Sequence, residues 1–373
     1  MSASASRAYA IVTGGGTAGH VLPALAIADA IVASGHPQSE VHYVGSQRGI
    51  EARLVPPTGY PMVLLPGRGI QRRLTPANVA AMWGLVVAAV RAVALVRRLR
   101  PKVVVAVGGY ASVAISLAAA LWRVPIVVAE QNAVPGAANR LISRFAKASA
   151  VSFEGTPLPR AVVTGNPVRA EIAAIDPHRD HAAARSAFGV GEGRRLLLVF
   201  GGSLGALRLN RAVLAALPAW SARGDLCIHH VIGARDWDEL SAAIPEDLGR
   251  LEYRPVRYED DMPAALAAAD LAVCRSGSST CFELAAVGLP AILVPSPFVT
   301  ADQQTRNARP LVDAGGAVLV PDAELDGPRL VAEVDALLAD DDRRARMARA
   351  ALSWARPDAA SAIAALARTH ARA

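Results

Sequence analysis

Three short apolar runs in this chain each end in clustered glycines and pass at once into a helical stretch. Residues 9–13 lead into Gly14-Gly15-Gly16-Thr17-Ala18-Gly19-His20 and an Ala-rich run from 21 to 32. Residues 103–107 lead into Gly108-Gly109-Tyr110, and residues 196–200 into Gly201-Gly202-Ser203-Leu204-Gly205-Ala206. Glycine lets a strand turn sharply into a helix and lets a ligand approach the backbone. The free N–H groups at such a helix start favour an anion, usually phosphate. The first loop ends in a histidine, which a plain phosphate cradle does not need. A tight turn with His20 as an incidental cap is the plainer alternative.

Around these turns, apolar runs alternate with helical stretches. Strands are expected at 9–13, 41–44, 62–65, 103–107, 126–129 and 161–164, then at 196–200, 227–232, 251–254, 271–274, 291–294 and 317–320. Helices are expected between many of them, including 22–33, 76–99, 113–121, 207–217, 280–287 and 303–314. Continuous Val/Ile/Ala runs suit strands buried on both faces, which belong to parallel sheets with crossover helices. Gly165-Asn166-Pro167-Val168-Arg169 breaks the rhythm, since Asn-Pro marks a turn. The expected fold class is α/β, with two doubly wound Rossmann-like domains facing a cleft. Their expected bounds are 1–165 and 166–352, with a C-terminal helix in 353–373 that packs back on the first domain.

Composition narrows the classes. At 373 residues with 53 % hydrophobic and 19 % charged, the chain can bury two large cores. The net charge of +7 suits nucleic acid, an anionic membrane surface or phosphate-bearing substrates. Nucleic acid is disfavoured, because no short Lys/Arg block with interleaved aromatics occurs. Cys227, Cys274 and Cys281 match no zinc spacing and suit a reducing compartment. The segment up to Arg7 lacks a signal-peptide layout. Residues 79–96 approach the length of a membrane span, but Arg91 interrupts them, and a helix packed on a sheet is expected.

The polar stretches gather at the carboxyl ends of the expected strands, where open α/β sheets bind ligands. Glu130-Gln131-Asn132 follows one strand, and its amides suit sugar hydroxyls. Arg275-Ser276-Gly277-Ser278-Ser279-Thr280-Cys281-Phe282-Glu283 is the richest stretch. Ser278, Ser279 and Thr280 can cap a helix or hydrogen-bond phosphate, and Glu283 can accept from ribose hydroxyls. Asp302-Gln303-Gln304 opens a helix with two amides. The acidic runs Asp260-Asp261 and Asp340-Asp341-Asp342 have no His or Cys at ligand spacing, so no metal site is expected.

Taken together and in order, these stretches resemble the MurG family of bacterial peptidoglycan synthesis. Its members are UDP-N-acetylglucosamine–undecaprenyl-pyrophosphoryl-muramoyl-pentapeptide N-acetylglucosamine transferases. The matching pieces are Gly15 to His20, Gly108-Gly109-Tyr110, Glu130-Gln131-Asn132, Gly165 to Arg169, Gly201-Gly202-Ser203, Arg275-Ser276-Gly277 with Glu283, and Asp302-Gln303-Gln304. The resemblance implies a GT-B fold with an N-terminal acceptor domain and a C-terminal domain for UDP-N-acetylglucosamine. The acceptor would be lipid I and the product lipid II, joined β-1,4 with inversion and without a cofactor. It also implies a peripheral place on the cytoplasmic face of the bacterial plasma membrane, among other cell-wall synthesis or division proteins.

Carried over by motif, Thr17, Ala18 and Gly19 line the cleft and bind UDP-N-acetylglucosamine, with Asn132 near the transferred sugar. Arg169, Ser203, Glu259, the stretch Ser278 to Glu283 including Cys281 and Phe282, Gln303 and Gln304 hold the donor, with Glu259 near uracil. Gly15, Gly16, Gly108, Gly109 and Tyr110 take the acceptor diphosphate. Many members carry glycine at the position of Ala18, histidine at Ala129 and glutamine at Leu204.

Inverting transfer needs a base for the acceptor hydroxyl. His20 is the first candidate, since its ordinary pKa lies near working pH, and Glu130 is the second. Arg68, Arg72, Arg73, Arg91, Arg97 and Arg98, with Trp83 and Trp122, form a candidate contact with an anionic membrane surface. The alternatives are another GT-B enzyme, such as a diacylglycerol glycosyltransferase or a sugar-nucleotide 2-epimerase, and a non-catalytic membrane-surface binding protein. A dinucleotide oxidoreductase fits less well, because the first loop lacks the G-x-G-x-x-G order.

Overall fold

The computed structural model describes residues 7–66, 76–177, 179–202 and 205–373. Ser203, Leu204, Arg68, Arg72, Arg73 and the side chain of Trp83 lie outside the described residues. Two compact units emerge, Met1–Arg169 with Arg356–Ala373, and Ala170–Ala355.

The first unit carries seven strands among the described residues: β1 (Ala10–Gly14), β2 (Val41–Ser46), β3 (Met62–Leu65), β4 (Val103–Gly108), β5 (Ile126–Glu130), β6 (Ala148–Val151) and β7 (Ala161–Val163). All pair in parallel, in the order β3-β2-β1-β4-β5-β6-β7. Alternate residues of β4 serve opposite cores, as a two-residue side-chain period requires. Val104 and Ala106 pack with Leu95 and Val96 of helix Pro76–Leu99 and Ile115 of helix Tyr110–Leu121. Val103, Val105 and Val107 pack with Ala24, Ile27 and Ile31 of helix Ala18–Ala33, and with Ile363, Ala364 and Ala367 of helix Ala359–His370.

The terminal helix therefore closes one face of the first sheet. Gly165 stays with that unit because Arg356 lies against it. A Cβ on Gly165, whose φ is +82°, would come 2.8 Å from Arg356 Cγ and 3.4 Å from Ala359 Cβ. The unit boundary thus falls after Arg169 rather than after Gly165.

The second unit repeats the plan with β8 (Arg195–Phe200), β9 (Leu226–Val231), β10 (Glu252–Val256), β11 (Leu271–Cys274), β12 (Ala291–Leu293) and β13 (Ala317–Leu319). Their parallel order is β10-β9-β8-β11-β12-β13. Leu209, Val213, Leu217 and Trp220 of helix Leu207–Trp220 pack with Leu330, Val334 and Leu337 of helix Gly327–Leu338 over this sheet.

Twelve of these thirteen strands are visible as apolar runs, but β6 is not. Its sequence, Ala-Ser-Ala-Val, has small side chains and low β-propensity. It is held by ladder pairing to β5 and β7 and by Ser149 Oγ, which donates to the Pro159 carbonyl at 2.8 Å. No helix among the described residues is long and apolar enough to cross a membrane.

One local strain stands out before helix Gln303–Asp313. Ala301 (φ 55°) and Asp302 (φ 49°) are both left-handed. An L-residue with a Cβ is disfavoured there by about 1–2 kcal/mol, and glycine removes that strain at a smaller entropic cost. Ala301→Gly should therefore stabilise the fold by about 0.5–1 kcal/mol and raise Tm by about 1–3 °C. A calorimetric scan checks this; a lowered Tm would contradict it.

Candidate functional site

In the first sheet the strand order reverses between β1 and β4, and both glycine turns leave the sheet at that switch point, where open α/β sheets bind ligands. The turns touch. Gly15 N–H donates to the Gly108 carbonyl at 3.2 Å. A Cβ on Gly109 would sit 2.5 Å from the Gly15 carbonyl oxygen, and Gly109 has φ +87°. A Cβ on Gly108 (φ +125°) would meet His20 Cδ2 and Nε2 at 3.0 Å. Glycine at 108 and 109 is thus what allows the two loops and the imidazole to share one place.

His20 lies in the first turn of helix Ala18–Ala33, half-buried over Gly108. Its Nδ1 is 3.2 Å from the Gly15 carbonyl and 3.4 Å from Thr17 Oγ1. A carbonyl only accepts, so Nδ1 carries the proton in that bond and Nε2 keeps a lone pair. Burial holds the His20 pKa below the ordinary histidine value, against the opposing pull of Glu130, the Gly15 carbonyl and Glu51. Gly16, Thr17 and Gly19 are exposed and Ala18 is half-exposed, so the loop tolerates the Ala18 methyl. Thr17 is the N-cap of this helix without a side-chain capping bond.

Three expectations change on the first unit. Glu130 is not placed as a free base. It is only 3 % exposed, and its Oε1 accepts from the Asn132 N–H at 2.9 Å and Asn132 Nδ2 at 3.3 Å. Its Oε2 accepts from the Gly136 N–H at 3.0 Å and Asn139 Nδ2 at 2.9 Å. Glu130 anchors the loop that carries Asn132, which is itself half-exposed. Gln131 is buried, its Nε2 donating to the Ala129 carbonyl at 2.7 Å. The Tyr110 hydroxyl is turned into the fold and donates to the Pro66 carbonyl at 3.1 Å. Ser112, not singled out in the sequence, ties the turns together by Oγ contacts to the Thr13 and Gly108 carbonyls at 2.8 and 2.7 Å.

The second sheet reverses order between β8 and β11, and its two polar loops sit there. Gly201, Gly202 and Gly205 form the first; a Cβ on Gly201 would meet Ala206 Cβ at 2.5 Å. A cavity of about 1080 Å³ opens beside it, bordered by Gly202, Arg275, Ser296, Phe298 and Gln304. Arg275 supports its floor, donating to the Val294 and Pro295 carbonyls at 3.0 and 3.2 Å and pairing with Asp322 at 2.6 Å. Gln304 Oε1 accepts from the Ser296 N–H at 2.7 Å, and the Gln304 carbonyl accepts from Ser276 Oγ at 2.9 Å. Gln303, beside it at the helix start, is half-exposed.

Helix Ser278–Val287 starts at Gly277 with no side-chain cap. Its 3.6-residue period splits the expected donor stretch. Ser279, Thr280 and Glu283 share one half-exposed face. The Cys281 and Phe282 side chains turn to the core rather than to that face: they are 0 % and 1 % exposed. Burial pushes the Cys281 thiol up to about 12, and Phe282 packs on Trp354 with ring centroids 4.6 Å apart. Ser278 is buried too. The Glu259 carboxylate is engaged by His229 Nε2 at 2.8 Å and by the Asp261 N–H at 2.7 Å. Arg169 ends the first unit.

Under the Gly201–Gly205 loop lies a buried network that the sequence did not announce. Asn210 Nδ2 donates to the Ile232 carbonyl at 2.9 Å and to Asp236 Oδ2 at 3.1 Å. Its Oδ1 therefore accepts from His230 Nε2 at 3.0 Å, while His230 Nδ1 accepts from the Tyr253 hydroxyl at 2.8 Å. Burial drives the His230 pKa down to about 3. The unfolded chain binds a proton at this site from about pH 6.5 downward and the fold only below about 3. Stability is thus intact above pH 6.5 and falls through that window, by about 3–5 kcal/mol in all. Urea melts at pH 7 and pH 4 should show a steeper acid loss for the wild type than for His230→Gln; equal slopes would contradict this.

Two switch-point sites of this kind, one with a histidine and one beside a glycine-lined cavity, fit a nucleotide-sugar glycosyltransferase of two α/β domains. Residues 10–151 match the glycosyltransferase family 28 N-terminal domain and residues 196–363 the family 28 C-terminal domain. The UDP-N-acetylglucosamine–N-acetylmuramyl-(pentapeptide) pyrophosphoryl-undecaprenol N-acetylglucosamine transferase of Salinibacter ruber is 43 % identical over 360 residues, covering 95 % of each chain. Its counterpart in a Nocardioides species is 44 % identical over 350 residues, 94 % of each. The crystal structure of Acinetobacter baumannii MurG superimposes with a TM-score of 0.76 at 27 % identity, covering 97 % of this chain and 99 % of that one. The chain belongs to glycosyltransferase family 28 and, within it, to the MurG family.

Proposed function

We infer that this chain transfers N-acetylglucosamine from UDP-N-acetylglucosamine to lipid I, giving lipid II with inversion. The observation that carries the reading is the match along the whole chain to relatives bearing that name. The site supplies the chemistry. In the second unit, Glu283 receives ribose hydroxyls and Gln303 and Gln304 the sugar or diphosphate. Ser279, Thr280, the loop holding Ser203 and the start of helix Ser278–Val287 meet the growing charge of the leaving UDP. Arg169 and the Glu259 backbone complete the donor contacts. In the first unit, Gly15, Gly16, Gly108 and Gly109 hold the acceptor diphosphate, Asn132 approaches the sugar, and His20 Nε2 takes the proton of the attacking hydroxyl.

UDP release should therefore depend on both substrates. Release from UDP-N-acetylglucosamine alone, unaffected by a lipid I analogue, would refute the reading. Because the His20 pKa is lowered, kcat/KM should rise with pH along an acid limb centred below 6.5 and be nearly level by pH 7.5. A limb above 7 would contradict the assignment of the base.

The acceptor lies in a membrane, and one face of the first unit suits a bilayer at its cytoplasmic side. Val86, Val90, Leu117, Leu121 and Trp122 are all more than one-third exposed on helices Pro76–Leu99 and Tyr110–Leu121 or just beyond them. Arg91, Arg97, Arg98 and Arg100 are exposed beside them, with the Arg97 guanidinium 5.8 Å from the Trp122 ring centroid. Each such arginine near an anionic surface contributes about 1 kcal/mol. Arg97→Glu with Arg98→Glu should weaken co-sedimentation with phosphatidylglycerol vesicles more than tenfold; unchanged binding would contradict the proposal.

A further inference from the structure

Glu51 opens the short helix Glu51–Leu54 after β2, far in sequence from the glycine turn, and no motif of the chain points to it. Its side chain is fully buried. Oε1 accepts from the Ser46 N–H at 2.7 Å, and Oε2 accepts from the Gly16 N–H at 2.9 Å. Three glycines make room for it. A Cβ on Gly15, Gly45 or Gly49 would run into the Glu51 side chain, at 2.5 Å from Cγ in the case of Gly45. A carboxylate walled in by backbone is costly to bury unless it is hydrogen-bonded, as this one is by two backbone N–H groups.

The Gly16 N–H that Glu51 holds and the Gly15 carbonyl that His20 Nδ1 contacts are the two ends of one peptide unit. We propose that Glu51 is a positioning residue for the transfer reaction, acting on His20 through the Gly15–Gly16 peptide. The carboxylate draws on the N–H end of that peptide. The carbonyl end, fixed in direction and polarised, holds the proton on His20 Nδ1. The Nε2 lone pair is then presented over Gly108 to the acceptor hydroxyl. Hydrogen bonds in such a chain reinforce one another in a poorly solvated interior. The arrangement does for this imidazole what a carboxylate does directly in a Ser-His-Asp triad, with one peptide bond interposed. The inference rests on His20 being the proton acceptor of the proposed function.

Glu51→Gln keeps the shape but cannot accept both N–H groups, since one terminal atom becomes a donor. It should lower kcat about tenfold to a hundredfold while KM for UDP-N-acetylglucosamine stays within about twofold. Glu51 and Glu130 are the acidic groups acting on His20, so losing one should move the acid limb of kcat/KM to lower pH. In a His20→Ala background the same substitution should cost no further activity. An equal loss in both backgrounds would show a merely structural role and overturn the proposal, as would a folded Glu51→Gln enzyme with normal kcat. Should that variant not fold, 15N NMR of the histidine-labelled wild-type chain decides: an unprotonated Nε2 at pH 8 supports the proposal, and an Nε2–H tautomer overturns it. A normal wild-type transfer rate with either negative result separates failure of the relay from failure of the functional reading.

Discussion

Replacing His20 with alanine will lower kcat for transfer to a lipid I analogue by about 10²–10⁴-fold, the range for loss of a general base. That corresponds to about 3–5 kcal/mol of barrier. The fold should survive, because the ring is half-exposed and its hydrogen bonds are confined to its own loop. KM for UDP-N-acetylglucosamine should change little, since most of the donor contacts are assigned to the second unit and none to the His20 side chain. The acid limb of the pH profile should disappear with the imidazole. Steady-state rates from pH 5 to 9 test all three statements, and a His20→Ala rate within threefold of wild type would remove His20 from the chemistry.

Gly109→Ala will be severely damaging to the first unit. Gly109 has φ +87° and ψ 175°, a region open essentially to glycine alone. The new Cβ would also meet the Gly15 carbonyl oxygen at 2.5 Å, and that contact is with backbone, which cannot swing aside. Strain and displacement together should cost about 2–4 kcal/mol of stability. The loss of activity should exceed the loss of folded protein, because the loop that must move carries the Gly15 carbonyl that orients His20. Comparing kcat with the melting curve separates the two effects. Gly16→Ala is a useful contrast: its Cβ would meet nothing within 4 Å, so only its φ of +91° is penalised. A Gly109→Ala enzyme as stable and active as the wild type would refute the close-packing account of the two turns.

Much of this architecture was readable from the chain. Strands such as β4 and β8 are apolar runs that end in glycine turns, and such runs suit strands buried on both faces. The glycine turns at 14–16, 108–109 and 201–205 marked the switch points for the same reason. β6 escaped because small side chains at its centre carry no pattern. The burial of the Cys281 and Phe282 side chains was legible in the helical period: with Ser278 and Ala285 they form the buried stripe of a helix, opposite Ser279, Thr280 and Glu283. Glu130 looked ligand-facing at a strand end, and only the structure shows four donors already on its two oxygens. Glu51 was not legible at all. It reaches Gly16 across 35 residues, and only the parallel pairing of β1 with β2 brings the two loops together.

The most direct test of the whole account is transfer of labelled N-acetylglucosamine from UDP-N-acetylglucosamine to a lipid I analogue, with the product linkage read by NMR. A β-linked disaccharide lipid is expected, with one UDP released per sugar transferred and both lost together in His20→Ala. Conversion of UDP-N-acetylglucosamine without an acceptor, or an α-linked product, would contradict it.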